Sequence, residues 1–106
     1  MEQITATELK ARIDGADVTP FLLDVREQNE VDFCHILGSH HMAMQSIPNR
    51  LADLPKDEVI VTICHHGMRS QQAAQFLLQN GFTDIINLHG GVHAWAGEVD
   101  PAMPTY

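Results

Sequence analysis

Glu58-Val59-Ile60-Val61-Thr62-Ile63-Cys64-His65-His66-Gly67-Met68-Arg69-Ser70 is the stretch whose reading decides the fold. Its first six residues are rich in β-branched side chains and follow the polar break Pro55-Lys56-Asp57, which predicts a central strand. From Ser70 the apolar residues change period. Ala73, Ala74, Leu77 and Leu78 fall on one face of a predicted helix, and Asn80-Gly81 supplies its stop. Cys64 therefore lies in a loop, just past a strand and just before a helix.

Working outward, Phe21-Leu22-Leu23-Asp24-Val25 is a short apolar run without alternation, as expected of a strand buried on both faces. Thr5-Ala6-Thr7-Glu8 has capping-box spacing and predicts a first helix ending near Ile13-Asp14-Gly15. Glu27 to Phe33 accommodates two helical turns, and Ser46 to Leu51 another turn after the break at Gly38. Thr83 to Leu88 reads as a further strand, and after Gly90-Gly91 the segment from Val92 to Trp95 begins a last helix. Strands alternating with helices predict an α/β fold, a mostly parallel central sheet with helices on both faces. Ligands bind such sheets beyond the carboxyl ends of the strands, where both Cys64 and Asp24-Val25-Arg26 are predicted.

The length of 106 residues fits one domain over 1–106, with no internal repeat or linker. Hydrophobic residues form 44% and charged residues 19% of the chain, a globular balance. No apolar run reaches the ~18 residues that span a bilayer, and Met1-Glu2-Gln3-Ile4-Thr5 lacks the basic start of an export signal. A soluble cytoplasmic protein with no membrane partner is the expectation. Two cysteines in that setting argue for free thiols rather than a disulfide framework.

Six Lys plus Arg against fourteen Asp plus Glu give a net charge of -8, which disfavours nucleic acid as a partner. An anionic substrate would need a local positive site to reverse that field. The loop supplies candidates. The helix start near Ser70 and the loop amides favour an anion at Cys64, making its thiolate the nucleophile. Gly67 permits a tight turn, Met68 completes the loop, and Arg69 is permanently charged. His65 and His66 are expected to be cationic in part of the population near neutral pH.

The loop resembles the rhodanese family, whose Cys-x-x-Gly-x-Arg-Ser pattern matches Cys64, Gly67, Arg69 and Ser70. Leu23-Asp24-Val25-Arg26 is similar to that family's strand-end motif. Cys34-His35-Ile36-Leu37-Gly38-Ser39 is similar to its His-Ile-Pro-Gly-Ala segment, with Leu37 and Ser39 as departures, and Gly90-Gly91-Val92-His93-Ala94-Trp95 to its Gly-Gly-x-x-x-Trp. The resemblance implies a rhodanese fold and a sulfurtransferase. In such an enzyme Cys64 takes a sulfane sulfur from a small anionic donor such as thiosulfate, or from a protein. It passes the sulfur as a persulfide to a thiophilic acceptor such as cyanide, a thiol or a partner protein. No metal and no organic cofactor is implied.

Other readings stay open. Cys34 reads as core on the apolar side of a short helix, or as a resolving thiol for oxidised Cys64. Arg69 either contacts substrate or braces the loop by pairing with Asp24 or a Glu. Asp24 and Arg26 are read as ion pairs that hold the loop, with Glu30 a candidate partner. Among seven histidines, His40-His41, His65-His66 and the His89/His93 spacing invite a metal reading, yet adjacent histidines on a regular element point apart. Trp95, Phe76 and Phe82 read as core. Two rival functions are a docking module without catalysis and a cysteine phosphatase or arsenate reductase. The latter loops resemble Cys-x5-Arg, whereas four residues separate Cys64 from Arg69.

Overall fold

The computed structural model describes residues 1–106. One five-stranded, all-parallel sheet organises the chain: β1 (Glu2–Ile4), β2 (Phe21–Asp24), β3 (His40–His41), β4 (Ile60–Ile63) and β5 (Ile85–Leu88), in the order β1-β5-β4-β2-β3. Between them run α1 (Ala6–Gly15), α2 (Gln28–Phe33) and α3 (Met68–Gln79), with 3₁₀ helices at Met44–Asn49 and Leu51–Asp53, and α4 (Gly91–Glu98) follows β5. The 3₁₀ pair stands where a single helical turn from Ser46 to Leu51 was expected. Pro48, without an amide hydrogen, suits such short pieces.

Alternation along the buried strands sends side chains into two cores. Leu23, Ile60, Cys64 and Ile85 pack with Ala73, Ala74 and Leu77 of α3 on one face. Leu22, Val61, Ile63, Ile86 and Leu88 pack with Leu9 of α1 and with Val92 and Trp95 of α4 on the other. Each fully buried Leu or Ile is worth roughly 1.5–3 kcal/mol, so these two layers fix the orientation of α3 and α4. The capping box of α1 forms as the sequence predicts, Thr5 Oγ1 accepting from Glu8 N at 3.1 Å and Glu8 Oε1 from Thr5 N at 2.9 Å.

Three expectations are corrected. Helix α3 starts at Met68 rather than near Ser70, so Met68 and Arg69 occupy its first turn. Leu78 is exposed, and the buried stripe is Ser70, Ala73, Ala74 and Leu77, because the stripe follows the strand-facing side back to the helix start. Cys34 does not sit on the apolar side of a helix: α2 buries none of its residues, and Cys34 is the buried residue that ends it. Strands β1 and β3 were not anticipated. They are three- and two-residue edge strands, polar except for Ile4, and too short to show periodicity.

Candidate active site

Strand β4 delivers Cys64 to the carboxyl edge of the sheet, and the chain turns at once into α3. The turn depends on Gly67, whose φ of +105° only glycine adopts without strain. Its amide donates to Cys64 Sγ at 3.0 Å, and Ser70 Oγ lies 3.3 Å from the same sulfur. Among the loop amides it is Gly67 N–H that reaches the sulfur. The Cys64 residue is only 1% exposed, so the sulfur is held against the start of α3, where the helix dipole and the amide favour a negative charge.

A residue that sequence reasoning missed organises this cradle. Asn87, buried on β5, is the register partner of Thr62. Its Oδ1 lies 2.5 Å from Ser70 Oγ and 3.3 Å from Thr62 Oγ1, while its Nδ2 donates to Gly67 O at 3.1 Å and to Gln3 Oε1 at 2.9 Å. One carboxamide thus grips both residues that touch the sulfur. The only sequence signal was a lone amide in an otherwise apolar strand, Ile85-Ile86-Asn87-Leu88.

Of the partners open to Arg69, the structure shows a Glu: its Nη1 and Nη2 donate to the two oxygens of Glu30 at 2.8 and 2.9 Å. The hydrogen bonds to Glu30 raise the Arg69 pKa against the opposing effect of burial, with the Glu30 and Cys64 charges adding to the rise. Reciprocally, the Arg69 hydrogen bonds draw the Glu30 carboxyl down to about 2, against the opposing effect of burial. His65 is a weaker base than a free imidazole, because burial and then the neighbouring His66 and His93 lower its pKa.

Asp24 and Arg26 pair with each other rather than with the loop, Arg26 Nη2 donating to Asp24 Oδ2 at 2.7 Å and Nε to Oδ1 at 2.9 Å. Both residues are fully buried. Arg26 also donates to Cys34 O at 2.7 Å and to the Tyr106 hydroxyl at 2.8 Å, and that hydroxyl donates to Glu30 Oε1 at 3.1 Å. A continuous polar chain therefore runs Asp24, Arg26, Tyr106, Glu30, Arg69. Cys34 Sγ sits 4.0 Å from Arg26 Nη1, which makes Arg26 rather than Cys64 its polar neighbour.

The arrangement holds the Cys64 sulfur at a helix N-terminus, with a bidentate ion pair fixing Arg69 in the first turn of that helix. A sulfur so placed is suited to forming a bond to an incoming atom and later releasing it.

A family model described as a rhodanese-like domain matches residues 5–98. The chain is 39% identical over 101 residues to YtwF of Bacillus subtilis, covering 95% of this chain and 96% of that protein. It is 36% identical over 97 residues to a protein of Allochromatium vinosum named sulfurtransferase, covering 91% and 89% of the two chains. Among solved structures, that of SSP1007 from Staphylococcus saprophyticus superposes with a TM-score of 0.85 at 37% identity, covering 93% of this chain and 97% of that one. No helix is long and apolar enough to cross a membrane.

Proposed function

Since this chain belongs to the rhodanese-like family, we propose that it is a sulfurtransferase in which Cys64 carries the sulfur as a persulfide. The observation that carries this reading is the Gly67 N–H donating to Cys64 Sγ at 3.0 Å, at the start of α3 and the end of β4. The Cys64 thiolate attacks the outer sulfur of a donor such as thiosulfate. A sulfur–sulfur bond forms to Cys64, the donor's sulfur–sulfur bond breaks, and sulfite leaves with the electron pair. An acceptor nucleophile, cyanide or a thiol, then takes the terminal sulfur and regenerates the thiolate.

Gly67 and Ser70 contact the sulfur and are themselves held by Asn87, and Arg69, fixed by Glu30, contributes positive potential beside it. The net charge of -8 repels small anions at a distance and favours a basic partner surface. A protein-borne persulfide is therefore the second donor class we propose. The name of the Allochromatium vinosum relative supports sulfur transfer as the reaction class.

Intact mass spectrometry after incubation with thiosulfate tests the reading. The wild type gains one sulfur, cyanide removes it, and Cys64→Ser gains none. A docking module would gain no sulfur, and a cysteine phosphatase would instead turn over a phosphate ester. Sulfur gain by Cys64→Ser equal to the wild type would overturn the assignment.

A further inference from the structure

Outside the sulfur cradle, the fold brings together three imidazoles that are distant in the sequence. His65 and His66 follow Cys64, and His93 comes from the first turn of α4. One ring nitrogen from each of the three lies within 4.8 Å of the others. The rings of His65 and His66 are 4.0 Å apart, and those of His66 and His93 4.9 Å.

From this geometry we propose that His65, His66 and His93 form a three-histidine site for a borderline transition-metal ion of the Zn²⁺ class. The sequence pairing of His89 with His93 is replaced, because α4 begins only at Gly91 and His89 ends outside the cluster.

Two features preorganise the site. His93 N donates to His65 O at 3.1 Å and Val92 N to Cys64 O at 2.9 Å, so the start of α4 is stitched to the loop backbone. That approach requires glycine at position 91, with φ +59°, since a Cβ there would collide with the carbonyl oxygens of Cys64 and His65. The His65 ring is further held by stacking on Tyr106, with centroids 3.9 Å apart and planes 12° from parallel.

The donor set selects the ion. Three neutral nitrogen donors suit Zn²⁺, Co²⁺, Ni²⁺ or Cu²⁺ and not Mg²⁺ or Ca²⁺, which take oxygen ligands. Zn–N bonds of about 2.0–2.1 Å put tetrahedral nitrogens about 3.3 Å apart. Nitrogens within 4.8 Å of one another thus need to close by at most about 1.5 Å, which the exposed His66 and His93 can supply by side-chain rotation. The same acidic composition that repels anions draws cations toward the loop. Three protein ligands leave a fourth position for water or an incoming ligand. The site is independent of sulfur transfer: it exists whether or not Cys64 carries sulfur.

The test is made in the Cys64→Ser chain, so that the thiolate cannot supply a ligand. Titration with ZnCl₂ by calorimetry, and with CoCl₂ by visible absorption, should give one equivalent bound. His66→Gln and His93→Gln should each weaken Zn²⁺ by more than the roughly 10–100-fold that loss of an outer-shell partner costs. His89→Gln should leave the affinity unchanged, and circular dichroism verifies that each variant is folded. The proposal is overturned if Cys64→Ser binds no Zn²⁺, if His93→Gln binds as tightly as its parent, or if His89→Gln weakens binding equally.

Discussion

Both carboxylate oxygens of Glu30 accept from Arg69, Oε2 from Nη1 at 2.8 Å and Oε1 from Nη2 at 2.9 Å, joining α2 to the first turn of α3. A fork-to-fork pair fixes direction as well as distance. Arg69 is therefore a braced cation rather than a mobile one.

Glu30→Gln should expose the value of that bracing. With the Arg69 side chain 38% exposed, the stability loss should be small, about 1 kcal/mol or less. The loss of kcat/KM for sulfur transfer should be larger, about tenfold, because the guanidinium no longer has a bidentate partner. Steady-state rates beside a thermal melt check this. Equal kcat/KM in variant and wild type would show that Arg69 needs no brace.

The same pair has a defined pH dependence. Glu30 titrates at about 2 in the fold against 4.5 ordinarily, a lowering caused first by the Arg69 hydrogen bonds. A lowered carboxyl contributes stability that is full above the ordinary value and is lost as pH falls from there through about 2. The Arg69 brace should thus survive at pH 4, and carboxyl NMR of Glu30 should show a midpoint near 2. A midpoint near 4.5 would mean that the pair does not form in solution.

Asn87→Ala should be the most damaging single change near the sulfur that leaves Cys64 in place. It strips partners from the buried groups Ser70 Oγ, Thr62 Oγ1 and Gly67 O. Each keeps one other partner, Cys64 Sγ, Ile86 O and Gln71 N respectively, so each lost bond costs about 1 kcal/mol rather than the larger penalty of an unpaired buried group. A loss of about 3 kcal/mol is expected, readable as a melting temperature lowered by more than about 10 °C in a chain of this size. A change within a degree or two would refute the role given to Asn87.

Two glycines of α4 should respond in opposite directions. Gly91→Ala forces a Cβ onto the Cys64 and His65 carbonyls at a positive φ and should destabilise by several kcal/mol, with slower sulfur loading. At Gly97 a Cβ meets nothing within 4 Å, so Gly97→Ala should raise stability by roughly 0.5–1 kcal/mol through helix propensity. Calorimetric melts of the pair decide it, and equal effects would contradict the packing described for Gly91.

The sequence by itself determined the α/β alternation, the buried parallel strands and the placement of Cys64 at a strand-to-helix turn. Those features rest on local periodicity, and the capping box at Thr5 and the glycine at position 67 are equally local. It did not reveal β1 or β3, because edge strands of only two or three residues carry no period of their own. Nor could it assign the partner of Arg69, choose between roles for Asp24 and Arg26, or single out Asn87. Those choices were made where α2, α3, β5 and Tyr106 converge, most of them between residues tens of positions apart. The same holds for His65, His66 and His93: the sequence offered His89 as the partner of His93, and only the docking of α4 against the Cys64 carbonyl put His93 beside the loop. Periodicity is written into neighbouring residues, whereas the pairing of buried polar groups is decided by which distant elements the two cores press together.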